Sequence, residues 1–566
     1  MVNDLQGLRP ALVKTLAYDS GPAVEWLYNS FGLKLDKVSR LGAHSQPRTH
    51  RGGERFPGAM ITMTLMEKIE ERVEQGMCEI ICKAKAKTLL TENGTVVGVE
   101  FEKDNKLHKA YGPVILCTGG FGADFSADSL LASVSDEWRK LKAYADVPSH
   151  LVPSLLSLPT TNGEHCTGDG IKMALAVGGG TVDMEAVQVH PTGLVDPEEA
   201  DAKVKFLAAE ALRGVGGILI DANGKRFCDD LGKRDYVSSR MWLGKGPFRL
   251  VLNSKASREI EWHVKHYTSR SLMKPYKNAA ALAAEMKIPA SNLYETFAEY
   301  NTAAKTGKDK FGKKYFANVP FEDSEALNVS WITPVVHYTM GGVEANEFGE
   351  VVGKQGVIRG LYAAGELMGG VHGKNRLGGN SLLDCVVYGR VSGASAAKYM
   401  LMNAGRTDAA HRRIGNIASQ VGAIPRLNIE ISPQSMTINW AEAASGTASA
   451  AVDTLSLGNT KKEANPEADF YTQPKAGAPA AAPKAAAPAT KKFTKEEIAK
   501  HNTQKDCWVV VDKVVYDLTE FLPDHPGGIK APLIYAGKDA TEEFNMLHKP
   551  EILTKYATQY IVGTTD

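Results

Sequence analysis

Two hydrophobic periods alternate along the first 420 residues: short apolar runs, and amphipathic stretches with helical spacing. That mixture predicts an α/β body. Val114-Ile-Leu-Cys117 predicts a buried strand, and Thr118-Gly119-Gly120-Phe-Gly122 the tight turn that ends it. Gly168-Asp169-Gly170 predicts the start of a helix over Ile171 to Val177, stopped by Gly178-Gly-Gly180. Leu361 to Ala364 predicts a short strand just before a segment with six glycines, Ala363 to Leu382. Ser381-Leu382 then opens an apolar helical run whose N-terminus would face whatever those glycines admit. Arg376 and His372 stand among the glycines, available for an anion. Strand, turn and helix N-terminus in this order is how α/β proteins build dinucleotide sites.

The pattern stops after residue 420. Ala476 to Thr490 is almost wholly Ala, Pro, Gly and Lys, a composition that cannot bury a core and behaves as a tether. Its approach, Pro425 to Pro474, is mostly polar and small. A compact tail, 493–566, follows. The whole chain of 566 residues exceeds one core, with 43% hydrophobic and 23% charged residues, as in ordinary globular proteins. Net charge is +1, which argues against nucleic acid as a partner. The tail carries 8 lysines against 12 acidic residues (−4) and the rest of the chain +5, a balance that favours short-range docking between them. No apolar stretch reaches the length of a membrane span. Seven cysteines without a framework pattern predict reduced, mostly buried thiols.

In the tail, His525-Pro-Gly-Gly528 and His548 lie in separate turns with apolar neighbours, a pattern suited to a buried metal that takes one imidazole from each side. The tail resembles cytochrome b5, with Trp508-Val-Val-Val, Val515-Tyr-Asp-Leu-Thr and Tyr560-Ile-Val-Gly in the family's places. The resemblance implies haem b held by His525 and His548. With both axial positions filled, such an iron passes electrons and does not activate oxygen.

His337-Tyr338-Thr-Met-Gly341-Gly342, Ala364-Gly365-Glu366 and Gly373 through Leu382 occur with His190-Pro-Thr, Glu210-Ala-Leu-Arg213 and Lys233-Arg234-Asp235. Between about His44 and Ser392 the chain resembles soluble fumarate reductase, a flavoprotein related to succinate dehydrogenase. The resemblance implies FAD, hydride transfer from flavin N5 to fumarate, and a proton from Arg234. That proton would be resupplied through Glu210 and Arg213, whose spacing puts them on one helix face. A guanidinium is an unusual acid, since it ordinarily stays protonated. His337 and Arg376 would hold one substrate carboxylate, and His190 would help with the other. Flavin contacts carried over are Thr118, Gly119, Gly120, Asp169, Tyr338, Glu366, Gly379, Asn380 and Leu382. Asp169 also suits a helix N-cap. Arg48-Thr-His50-Arg51 echoes the family but reads equally as a solvated basic loop. Ala209 stands where some relatives carry a substrate-contacting Thr.

The implied organisation is an α/β FAD-binding, Rossmann-like domain (1–187 and 337–420) with an inserted α+β capping domain (188–336). A linker (421–490) and an α+β cytochrome b5 domain (491–566) follow. No GxGxxG turn precedes His44, so the chain is expected to begin partway into the flavin domain. Two other readings stand beside fumarate reduction. One is reduction of another unsaturated acid such as urocanate; the other is a haem-binding electron carrier with an inactive flavin part. Electrons would come from a reduced nicotinamide or flavin, or from a cytochrome b5 reductase. Cytoplasm and mitochondrion are the expected compartments.

Overall fold

The structure, a computed structural model, describes residues 9–52, 57–126, 129–403, 426–432, 435–441, 491–525, 528–548 and 552–566. The chain divides into two compact units, 1–402 and 403–566.

In the first unit, the strand Val114–Leu116 pairs in parallel with Gly356–Ala363, which in turn pairs antiparallel with Glu350–Gly353. Leu116, Leu361 and Ala363 are buried here in one apolar core with Phe121, Ile171 and Val387. That core draws residues from both sides of the intervening segment, and so the two ends of the first unit form one body. The strand Val187–Leu194, buried at every position, pairs antiparallel with Leu327–Thr339. Together with Phe248–Leu252, Ile218–Ile220 and Lys274–Tyr276 they form a five-stranded sheet with two apolar cores of its own. Because its first and last strands lie side by side, residues 187–339 leave and rejoin the body at neighbouring points.

Several expectations shift by a few residues. The helix expected over Ile171 to Val177 spans Asp169–Ala176 and its N-cap is Gly168 at φ 71°, a left-handed conformation that glycine adopts without strain. Asp169 is therefore the first helical residue and not the cap. The long helix begins at Asn380 and runs to Met402. Thr49–Arg51 is a short strand rather than a loop, and it pairs with Lys37–Ser39. Before Gly52 the described residues hold this pair and the helix Pro10–Phe31, with no strand, glycine turn and helix in succession. Only Cys228 and Cys507 are buried; all seven thiols are free, and Cys78, Cys82, Cys117 and Cys385 are exposed. Among the described residues no helix is long and apolar enough to cross a membrane.

In the second unit, Arg426–Ser432 and Ser435–Ala441 form an antiparallel hairpin within the predicted linker. The Ala/Pro-rich tether, 476–490, lies outside the described residues, as do Pro526 and Gly527. Asp506–Val511 and Val514–Asp517 form the centre of the tail's sheet, flanked by Ile561–Thr564 and Lys538–Asp539. Val509, Val511, Leu522 and Tyr535 fill its core.

Candidate active site

Arg234 is the first residue of the helix Arg234–Leu243. A cation at this positive end of a helix is unfavourable, so a partner is needed. It has two. Nη2 donates to Glu210 Oε2 at 2.7 Å and Nη1 to Gln188 Oε1 at 2.6 Å, while Nε, also buried, has no partner. Glu210 Oε1 accepts from Arg213 at 2.7 Å, across the single turn Ala211–Gly214. The predicted Glu210–Arg213 face thus exists, and Arg234 completes it from a different segment.

Gln188 and His190 stand two apart on one buried strand and so share a face. Gln188 also donates to the carbonyl of Arg376 (2.8 Å) and to Asn375 (2.7 Å), which joins this strand to the glycine-rich segment. Sequence reasoning missed Gln188. Its signal was there: a polar residue alternating with valines, in phase with His190. The rings of His190 and His337 lie 5.1 Å apart, edge to face. Thr161 bonds His337 Nδ1 at 2.8 Å. Arg376 stacks on the Tyr338 ring at 4.3 Å, and its buried Nε has no partner.

The electrostatics follow from burial. The Glu210 carboxyl is pushed up by desolvation, but Arg234 and Arg213 outweigh this and bring it to about 2. Burial lowers Arg376 to about 10, with Arg234 adding to the effect. Burial also holds His190 and His337 well below the ordinary imidazole value, and the nearby guanidiniums act in the same direction. Both rings are therefore neutral at pH 7. The tautomer of His190 is set by its neighbours: Nδ1 accepts from the Thr192 amide at 3.3 Å, and an amide can only donate. The ring proton then sits on Nε2, which is buried and unpartnered, a donor waiting for an acceptor. Three guanidiniums thus face one ionised carboxylate.

Beside this cluster lies a groove at the carboxyl end of the parallel strands, where ligands bind in α/β folds. Thr118 and Gly379 are exposed there, on either side. Gly119 (φ 75°) and Gly379 (φ 88°) hold left-handed backbone that a side chain would strain. A Cβ on Gly120 would strike Thr339 and Glu366, so nothing larger fits under the turn. Glu366 accepts from the Thr339 amide at 2.9 Å, and burial raises its carboxyl to about 7 against that bond. Asp169 accepts from Thr167 at 2.9 Å. Asn380 opens the long helix, and Leu382 packs partly against the main core. An open floor of glycine backbone ending at a helix N-terminus fits a flat dinucleotide such as FAD, which Thr118, Gly119, Gly120, Glu366 and Gly379 would hold. Thr49, part of the Arg48–Arg51 motif that echoes the family, packs against this floor, its Cγ2 3.0 Å from where a Cβ on Gly379 would be.

In the second unit the rings of His525 and His548 are 6.0 Å apart. That spacing admits one metal ion bonded at about 2 Å to each ring. Burial, with His548 nearby, lowers His525 to about 4, which keeps its lone pair available for a metal. Phe544 stacks on His548 at 4.6 Å. The pair fits haem.

Residues 3–382 match the FAD binding domain family, and residues 494–566 match the cytochrome b5-like heme/steroid binding domain. Fumarate reductase of Schizosaccharomyces pombe is 46% identical over 402 residues, covering 69% of this chain and 75% of that protein. Fumarate reductase 1 of Saccharomyces cerevisiae is 37% identical, covering 68% and 81%. The open conformation of a flavocytochrome c3 fumarate reductase superposes with a TM-score of 0.52 at 29% identity, over 70% of this chain and 65% of that one. FAD and haem are accordingly its cofactors. The chain belongs to the fumarate reductase flavoprotein family and carries a cytochrome b5-like domain at its C-terminal end.

Proposed function

We propose that the chain reduces fumarate to succinate in the buried cluster between Arg234 and Arg376, with residues 188–336 as the capping domain. One observation carries the reading. Arg213, Arg234 and Arg376 outnumber the single ionised Glu210 by two charges, and the histidines between them are neutral. A dianion balances that excess.

Arg376, fixed by its stacking on Tyr338, and His337 hold one carboxylate of the substrate. The His190 Nε2–H donates to the other, where its missing partner is supplied. Bidentate pairing by Arg376 sets orientation as well as charge. FAD, when bound, supplies the hydride that reaches one alkene carbon. Arg234 gives a proton to the neighbouring carbon, and Glu210 and Arg213 return one to it. Arg234 and Arg213 hold the Glu210 carboxyl well below the ordinary carboxylate value, so a proton that reaches it is passed on readily. His525 and His548 would hold haem, which when bound would supply single electrons; the donor class is a reduced nicotinamide or flavin, or a cytochrome b5 reductase.

The test is turnover of the purified chain with reduced viologen against fumarate, urocanate and acrylate. Fumarate should be reduced fastest. A flavin- and haem-loaded chain that reduces none of the three sinks the reading. Arg234→Lys should lose nearly all turnover and keep its flavin absorbance; retained turnover would remove Arg234 from proton transfer.

A further inference from the structure

The proton relay has no solvent end of its own. The side chains of Arg213, Glu210 and Arg234 are 0%, 5% and 7% exposed. Arg213 is closed off further, because Nη1 is spent on the carbonyls of Asp230 and Gly232. A proton consumed at each turnover must nevertheless be replaced from water.

One buried titratable group next to the relay is unused by the mechanism above. His44 is 4% exposed, yet both its chain neighbours, Ala43 and Ser45, are exposed. Its Nε2 lies 3.1 Å from the carbonyl of Gly378. A carbonyl only accepts, so Nε2 carries the hydrogen and Nδ1 of the neutral ring is a bare lone pair. That Nδ1 is buried and unpartnered. The turn that carries His44 also covers Glu210. A Cβ on Gly42 would strike Glu210 Oε1, and a Cβ on Gly378 would strike Glu210 Oε2. His44 is therefore bonded to a residue that packs directly on the relay's carboxylate.

We propose that His44 is the solvent-side proton carrier of this site; the proposal rests on the fumarate reductase reading. After Arg234 has protonated the substrate carbon, the bare Nδ1 of His44 takes a proton from water, and the imidazolium so formed releases it toward the Glu210 carboxylate. Glu210 passes it to Arg234 and restores the guanidinium, which leaves Nδ1 bare for the next turnover. One proton enters per substrate reduced, and no electron moves along this route. The charges around the ring are consistent with a carrier: burial lowers its pKa, Glu210 raises it, and Arg48 and Arg234 lower it. Arg40 donates to the His44 carbonyl at 3.4 Å and holds the turn in place.

The experiment uses the full chain with FAD and haem bound, reduced viologen and saturating fumarate. His44→Gln keeps a donor for the Gly378 carbonyl but cannot carry a proton. It should lower kcat at least tenfold with little change in KM, and with flavin and haem absorbance intact. His44→Ala should fall similarly and be restored by added imidazole. A His44→Gln variant at the wild-type rate with an unchanged pH profile overturns the proposal, as does a loss in both variants that imidazole does not restore. A readout independent of turnover is the 15N shift of the His44 ring. It should report the Nε2–H tautomer and a pKa below 6.5 that falls further in Glu210→Gln; a ring unmoved by that change overturns the coupling. Wild-type chain that reduces no fumarate would instead refute the functional reading, and the ring titration would still decide the coupling between His44 and Glu210.

Discussion

Gln188 shows how much of this site depends on a neutral residue. Its carbonyl oxygen takes one end of the Arg234 guanidinium while its amide holds Arg376 through the backbone, so a single side chain sets the spacing between the proposed proton donor and the proposed carboxylate clamp. A hydrogen bond to a charged group contributes about 1.5–3 kcal/mol. Gln188→Leu should thus lower kcat roughly tenfold to a hundredfold with flavin still bound, as measured by viologen turnover. Unchanged kcat would mean that Glu210 alone orients Arg234. His190 and His337 act by the opposite means. Both rings are neutral at pH 7 and add nothing to the repulsion among three arginines.

Among the elements, the segment between the strand Ile218–Ile220 and the helix Arg234–Leu243 is braced by one carboxylate. Asp230, fully buried, accepts from the Leu219 amide (2.7 Å) and from Arg226 Nε (2.9 Å), and Lys313 lies 3.7 Å away. Its carbonyl receives Arg213. Removing one member of such a buried set strands the others. Asp230→Ala should cost about 3–5 kcal/mol in urea unfolding of the first unit. A loss below about 1 kcal/mol would show that Asp309 and Asp229, the other partners of Arg226 and Lys313, suffice. The helix that carries Arg234 thus inherits its position from charges that never meet the substrate.

At the scale of the whole chain, the two cofactor sites belong to separate units and should fail separately. His548→Ala should abolish the haem absorbance of the purified protein and leave its flavin absorbance in place; haem retained at full occupancy would remove His548 as a ligand. Acid should destabilise the first unit. His266 is buried and held at about 4 by desolvation, with Arg270 and His263 adding to the effect, whereas an unfolded histidine titrates near 6.5. Above pH 6.5 neither state is charged there. As pH falls from 6.5 toward 4 the unfolded chain binds the extra proton, and stability is lost. His190 and His337 act with the same sign. Glu366, raised to about 7, acts against them between pH 7 and 4.5, where its protonated form favours the fold. Thermal midpoints should therefore drop below pH 6.5, and His266→Asn should shrink the drop; an unaltered profile in that variant would assign it to other groups.

The α/β character and the glycine-rich turns were legible in the chain, because local spacing and turn chemistry are written residue by residue; His190, Glu210, Arg213, Arg234, His337, Arg376, His525 and His548 were singled out by motifs that resemble those of known families. The hairpin from Arg426 to Ala441 was missed, because the stretch was read as linker, although Leu427, Ile429 and Ile431 alternate there with polar residues. Tertiary structure alone decided that Arg234 shares Glu210 with Arg213, that Gln188 joins two segments, and that His44 meets a carbonyl 334 residues away. It also decided which histidines are neutral. Charge state and pairing arise from desolvation and from contacts between distant segments, and neither exists until the chain has folded.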